Sequence, residues 1–207
     1  MIGVLLLTFG GPARLDEVEP FLSSVLSGRK LTTEQLEKVK EKYKLIGGSP
    51  LPGTTFNQAK LLEERLNKEN KDFHVYVGFR HSHPTIEETV NQIVKDETKN
   101  IVILSLAPYY SKVTTAGYMV ELERAIKKNQ ANFEITVAPH LATHPLYLEC
   151  LVEKIEQGLK NFPFKVNLQG EPVEQRKEVQ IIFSVHSILQ KFIDKGDPYL
   201  EQVKASI

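Results

Sequence analysis

Short apolar runs punctuate the chain. "IGVLLLTF" (residues 2–9), "FHVYVGF" (73–79), "NIVILSLA" (100–107), "FEITVA" (133–138) and "EVQIIFSV" (178–185) are each brief, rich in Val and Ile, and nearly continuous. Runs that do not alternate with polar residues belong to strands covered on both faces, as in a parallel sheet. Between them, apolar residues recur every three or four positions. "TTFNQAKLLEERLNKEN" places Phe56, Ala59, Leu62 and Leu66 on one helical face, with a threonine at its start to cap it. "HPTIEETVNQIVKDE" carries a proline in its first turn and directs Ile86, Val90, Ile93 and Val94 inward. "TTAGYMVELERAIKK" and "HPLYLECLVEKIEQGLK" behave in the same way, and two more helices are expected around residues 16–26 and 32–43. Strand alternating with helix predicts an α/β fold: a parallel sheet with helices on both faces and right-handed crossovers.

One stretch breaks the rhythm. "NFPFKVNLQGEPVEQRKE" carries two prolines, a glycine and many charges, and its apolar residues keep no strong period. The expected organisation is therefore a first lobe over residues 1–160, a linker over 161–177, and over 178–207 a strand and helix that open a second lobe.

Charge narrows the function classes. Lys plus Arg is 26 and Asp plus Glu is 26, so the net charge is zero and no general basic field exists to hold nucleic acid. The single cysteine, Cys150, cannot close an internal disulfide, and its expected place is as a small buried hydrophobe in a reducing, cytoplasmic setting. "MIGVLLLTFGGP" has no positive leader and too short an apolar run for a membrane span, so it reads as a first strand.

In open parallel sheets, ligands bind beyond the carboxyl ends of the strands. The residues that follow each strand are therefore the candidates. Phe9, Gly10, Gly11 and Pro12 follow the first, and Arg80, His81 and His83 the second. Pro108, Tyr109, Tyr110 and Ser111 follow the third, His140, Thr143 and His144 the fourth, and Ser184, His186 and Ser187 the fifth. Five of six histidines thus sit just past strands. Each group has a bland reading beside the functional one. The "GGP" turn either cradles a phosphate or simply turns the chain. Arg80 either clamps a carboxylate with its planar fork or joins a surface ion pair. Tyr109 and Tyr110 either flank a flat ligand or plug the sheet's end. His140 and His144 have a metal-like spacing, but Pro145 favours a loop. His186 is a general base, a metal ligand or a hydrogen-bonded strand-end histidine. "IGGSPL" is a turn or a carboxylate site using the Ser49 hydroxyl, with Lys42 and Tyr43 one turn earlier.

At "FSVHSILQKFIDKGDPY" the segment resembles the ferrochelatase signature: a strand delivers the catalytic histidine, here His186, and a turn of Gly196, Asp197, Pro198 and Tyr199 follows. "LLLTFGGPARLDEVEPFL", "YKLIGGSPL", "YVGFRHSHPTIEE" and "APYYSKVTTAGY" resemble other segments of that family, in the same order. The resemblance implies two Rossmann-like, chelatase-like lobes with a porphyrin cleft between them. It implies insertion of Fe²⁺ as substrate into protoporphyrin IX or coproporphyrin III in haem biosynthesis. His186 matches the residue that contacts the metal or accepts a proton. Phe9, Lys42, Tyr43, Ser49 and Tyr118 match positions lining the porphyrin or its propionates. Arg80 and Tyr110, at the strand ends, join them as candidate substrate contacts.

The departures are specific. Phe9 stands where many relatives carry a side chain able to approach the metal. Leu189 replaces a usual proline. Lys112 stands where cluster-containing relatives have a cysteine, so no iron–sulfur cluster and no permanently bound cofactor are expected. The family continues through most of a second lobe, whereas this sequence ends at Ile207. An incomplete second lobe would leave an apolar edge open to self-association or to the missing lobe. An apolar lip on the cleft would allow peripheral membrane contact. Two other readings stay open: a non-catalytic tetrapyrrole or haem binder, and a small dimeric chelatase for another tetrapyrrole.

Overall fold

The computed structural model describes residues 1–69, 71–160 and 179–207. The expected linker, residues 161–177, lies outside the described residues, as does Glu178. In chain order the elements are β1 (Ile2–Thr8), α1 (Val18–Val25), α2 (Thr33–Leu45), α3 (Leu51–Leu66), β2 (Phe73–Phe79), α4 (Ile86–Lys95), β3 (Asn100–Ser105), α5 (Thr115–Lys128), β4 (Glu134–Val137), α6 (Pro145–Lys160), α7 (Gln190–Ile193) and α8 (Tyr199–Ala205). They form two compact units: Met1–Pro108 with Lys112–His140, and Tyr109–Ser111 with Leu141–Ile207.

The first unit is built on a four-stranded parallel sheet in the order β2-β1-β3-β4. β1 is central, with Val4 between Val75 of β2 and Val102 of β3. Successive side chains of a strand face opposite ways, so its apolar run feeds two cores. Leu5 and Leu7 pack with Ile86, Val90 and Ile93 of α4 and with Leu122 of α5. Val4 and Leu6 pack with Ala59 of α3 and with Val75, Val77 and Phe79. Helices therefore cover both faces, as the unbroken apolar strands require.

Side-chain caps set the starts of two helices. Thr32 and Gln35 form a reciprocal capping box on α2, and Thr85 and Glu88 do the same on α4. α3 departs from expectation. It begins at Leu51 rather than at a threonine cap, with Pro52 in its first turn, where a missing N–H costs nothing. Val94 also departs. It is 39% exposed while Ile93 is fully buried, because it stands at the margin of the apolar stripe.

β2 forms one edge of the sheet, and side chains cover its outward backbone groups. Asn67 bonds both the N–H and the carbonyl of Phe73 at 2.8 Å. The Val75 N–H donates to Glu63 Oε2 at 2.6 Å, and Thr89 Oγ1 donates to the Val77 carbonyl at 2.7 Å. Such cover blunts an edge that would otherwise template pairing with another chain.

The second unit contains α6, α7 and α8. The fifth expected strand does not form: residues 179–189 make no ladder among the described residues, and Ile182 is 89% exposed. A Val/Ile-rich composition favours a strand only where a neighbouring strand supplies hydrogen bonds. Cys150 is exposed rather than buried, since it lies on the outward side of α6 in this unit.

Candidate functional site

The strand order reverses across β1, with β2 on one side and β3 on the other. Connections leave in opposite directions at such a point and open a crevice beyond the strand ends. The first unit's candidates gather here. The Arg80 N–H donates to the Thr8 carbonyl and the His81 N–H to the Phe9 carbonyl, both at 3.0 Å, so the β1–β2 pairing runs on past the strands. It holds the Phe9 and His81 rings edge to face with centroids 4.6 Å apart. α1 adds Phe21, 6.2 Å from Phe9, and Ser24, whose hydroxyl lies 2.9 Å from His81 Nδ1. Burial pushes the His81 pKa down to about 4, and the neighbouring Arg80 cation adds to the shift. His81 is therefore neutral at pH 7 and acts as part of an aromatic wall.

The turn after β1 is closely fitted. Gly10 has φ +94°, and Ser82 Oγ accepts from the Gly11 N–H at 2.9 Å while donating to the Gly11 carbonyl at 3.2 Å. Gly11's amide is thus already engaged, which fits the turn reading of "GGP" better than a phosphate cradle. A Cβ on Gly11 would stand 2.5 Å from Ser49 Oγ, and the Ser49 N–H donates to the Pro12 carbonyl at 2.7 Å. The "IGGSP" loop is therefore seated on the turn, and the Ser49 hydroxyl lies beside it. Tyr43 is half-buried and its carbonyl accepts from the Gly48 N–H at 2.9 Å; Lys42 is exposed on the last turn of α2.

Arg80 Nη1 donates to the Thr114 carbonyl at 3.3 Å, and its guanidinium carbon would lie 2.5 Å from a Cβ on Gly117. A cation is thereby held at the first turn of α5. Tyr118 differs from the other candidates in its burial: it is 3% exposed and packs in the core with Leu5 and Val90, against which Phe9 also packs. Burial raises its phenol to about 12, against the opposing charge of Arg80.

In the second unit the "GDPY" turn has a simple logic. Gly196, at φ +76°, ends α7: its N–H donates to the Ile193 carbonyl at 2.8 Å and the Asp197 N–H to that of Phe192 at 3.0 Å. Asp197 Oδ1 accepts from the Tyr199 N–H at 3.0 Å, Pro198 stands at the cap position and α8 begins. Tyr199 reaches back, its hydroxyl donating to the His186 carbonyl at 2.9 Å. His186 is exposed and its Nδ1 lies 2.8 Å from the Ser187 carbonyl. A carbonyl only accepts, so Nδ1 is the donor here, and in the neutral imidazole that tautomer leaves the lone pair on Nε2. Tyr110 also lies in this unit, its N–H donating to Gln202 Oε1 at 2.7 Å.

Other candidates fall elsewhere. The His144 carbonyl accepts from the Leu148 N–H at 3.1 Å and so opens α6. Among the described residues, no group of three or more His, Cys, Asp or Glu side chains could hold a metal ion. A cavity of about 790 Å³ runs along the outer edge of β2, lined by residues including Phe56, Glu63, His74 and Gln92; of the strand-end candidates its lining includes His83 alone. Phe21 and Ser24 escaped sequence reasoning because on an amphipathic helix their pattern is that of ordinary core and surface. Ser82 escaped it as one more polar loop residue.

The sequence model of the family described as ferrochelatase matches residues 1–207. The chain belongs to the ferrochelatase family. A ferrochelatase of Citrifermentans bemidjiense is 35% identical over 221 aligned residues, covering 99% of this chain and 65% of that protein. A ferrochelatase of Geobacter metallireducens is 37% identical with the same coverage. A coproporphyrin III ferrochelatase of Staphylococcus epidermidis is 34% identical, over 96% of this chain and 62% of that protein. The chain thus spans about 65% of the length of the curated ferrochelatases that it matches. No helix among the described residues is long and apolar enough to cross a membrane.

Proposed function

We propose that the chain takes part in ferrochelatase-type insertion of Fe²⁺ into a porphyrin, in the cytoplasm, as a step of haem biosynthesis. The observation that carries the reading is His186: an exposed imidazole in the family's signature segment, with Nδ1 turned to the Ser187 carbonyl so that Nε2 is the ring nitrogen left to accept a proton in the neutral form. The overall change is balanced. A free-base porphyrin gives up two pyrrole protons, Fe²⁺ takes the four nitrogens, and no electron moves. His186 Nε2 accepts a proton and can meet the incoming ion. No permanently bound cofactor and no iron–sulfur cluster enter this scheme.

A porphyrin is flat and apolar, with carboxylates at its edge. In this reading Phe9 supports the ring, with Phe21 and His81 behind it, and Arg80, Lys42, Tyr43 and Ser49 serve the propionates. Tyr110 and Tyr118 are further candidate contacts, the second through a side chain that is buried in this structure. Contacts at the ring's periphery supply the strain that tilts the pyrroles and opens their lone pairs to the metal. Protoporphyrin and coproporphyrin both suit this set of groups. Exposed Ile181, Ile182, Phe183 and Val185 form an apolar stretch suited to self-association or to a further lobe, and to peripheral membrane contact.

A second reading is a tetrapyrrole or haem binder without metal insertion, which would use the aromatic wall of Phe9, Phe21 and His81 and need no proton acceptor. Anaerobic mixing of the chain with each porphyrin and Fe²⁺, followed by absorbance, separates the two. Four visible bands collapsing to two with turnover supports insertion. A saturable spectral shift with the free-base bands retained supports the binder and refutes insertion.

A further inference from the structure

We infer that Tyr199 is a positioning residue for His186, its hydroxyl holding the histidine's backbone carbonyl and so setting where the imidazole points. The inference rests on the reading of His186 as the proton acceptor.

The observation behind it is that His186 lies where a sheet does not hold it. Residues 179–189 form no ladder among the described residues, so strand pairing does not fix this backbone. The Tyr199 hydroxyl bonds the His186 carbonyl at 2.9 Å across thirteen residues of chain. A long tyrosine is useful as a strut only if its own base is rigid, and here it is. Its N–H donates to Asp197 Oδ1 at 3.0 Å, and the other carboxylate oxygen accepts from Ser111 Oγ at 3.0 Å. Asp197 is 4% exposed and Ser111 is fully buried. The Tyr199 ring meets Tyr109 edge to face at 5.9 Å. Tyr109 is held in turn by Tyr147 at 6.4 Å between centroids and by Ser206 Oγ at 3.0 Å from its hydroxyl. The strut is thus anchored in α8, in the turn before it and in a cluster of tyrosines.

This gives the "GDPY" turn a task beyond joining two helices. Glycine stops α7, aspartate accepts from the first N–H of α8 and fastens to Ser111, proline stands at the cap, and the tyrosine ties the assembly to the histidine. Loss of the hydroxyl alone frees the His186 carbonyl and leaves the aromatic packing in place. A reacting group needs a fixed direction, and a misplacement of about 1 Å is enough to cost about a hundredfold in rate.

The test is Tyr199→Phe in the 207-residue chain, read two ways. The first is the His186 Cε1–H resonance, assigned by its absence in His186→Ala and followed against pH. The second is metalation of porphyrin by Fe²⁺. The expected result is a shifted or broadened His186 resonance, a kcat lowered about tenfold, a KM within about twofold, and an unchanged denaturation midpoint. Ser111→Ala, which loosens the anchor and leaves the hydroxyl, should move the same resonance by less. A His186 resonance identical in wild type and Tyr199→Phe overturns the inference whatever the metalation result. A changed resonance with unchanged kcat overturns it as well, because the tie would then orient nothing the reaction uses. If the wild type does not metalate at all, the proposed function fails, and the resonance alone decides the tie.

Discussion

Replacing Gly48 by alanine should unseat the Ser49 loop from the turn after β1, and the structure sets the size of the effect. Gly48 has φ +93°, a conformation that costs an L-residue about 1–2 kcal/mol. A Cβ there would also stand 2.8 Å from the Ala13 carbonyl carbon and closer still to its oxygen. The obstacle is backbone, so no side-chain rotation relieves it. Separating the two loops breaks the Ser49 N–H to Pro12 carbonyl bond of 2.7 Å, worth about 1 kcal/mol net. Gly48→Ala should therefore cost about 3 kcal/mol. Gly47 is the internal control: its φ is +71°, but a Cβ would meet nothing within 4 Å, so Gly47→Ala should cost only about 1 kcal/mol. Urea denaturation measures both, and at about 2–4 °C per kcal/mol for a protein of this size the midpoints in a thermal scan should separate clearly. Equal destabilisation by the two substitutions would refute the seating of the loop. If Ser49 serves a porphyrin as proposed, porphyrin affinity should fall with Gly48→Ala and hold with Gly47→Ala, since only the first displaces Ser49.

His81 should titrate near 4 by NMR, and the protein should lose stability as the pH falls from about 6.5 toward 4, where the unfolded chain binds a proton that the folded one refuses. The loss is about 1–2 kcal/mol after solvent screening of a half-buried ring, and a His81 resonance titrating at 6.5 would contradict it. Glu63→Ala should bare the Val75 N–H, cost about 1–2 kcal/mol, speed exchange of that amide and promote association through β2; unchanged exchange would show that the carboxylate does not cover the edge. Cys150 should react with a thiol reagent in the native state at nearly the rate of a free thiol, and protection until unfolding would contradict its exposure.

The first unit was largely legible in the sequence because its strands are covered on both faces. β2 spans Phe73–Phe79, as its apolar run predicts, and β1, β3 and β4 end within two residues of expectation. The rule that ligands sit beyond strand ends found Phe9, Arg80 and His81 together, and "IGGSP" proved to pack on "GGP". What failed had a common cause: the missing information was a partner. Residues 179–185 are as apolar as any strand, yet a strand also needs a neighbour, and composition does not name one. The start of α3 was obscured because Pro50, Pro52 and Gly53 look like punctuation, although proline in the first turn is itself a helix signal. Cys150 was misread because the side of α6 that meets other residues is not written in its own sequence. The bond from Tyr199 to His186 depends on how the chain doubles back, so no local pattern announces it.

The most direct test of the account is the metalation rate of His186→Ala at saturating porphyrin and Fe²⁺ in the absence of oxygen. If His186 accepts the pyrrole proton, the rate should fall by about a hundredfold or more, while the porphyrin dissociation constant changes less than about threefold. A variant that inserts iron within about threefold of the wild-type rate would contradict the central claim and return His186 to the rank of a surface histidine.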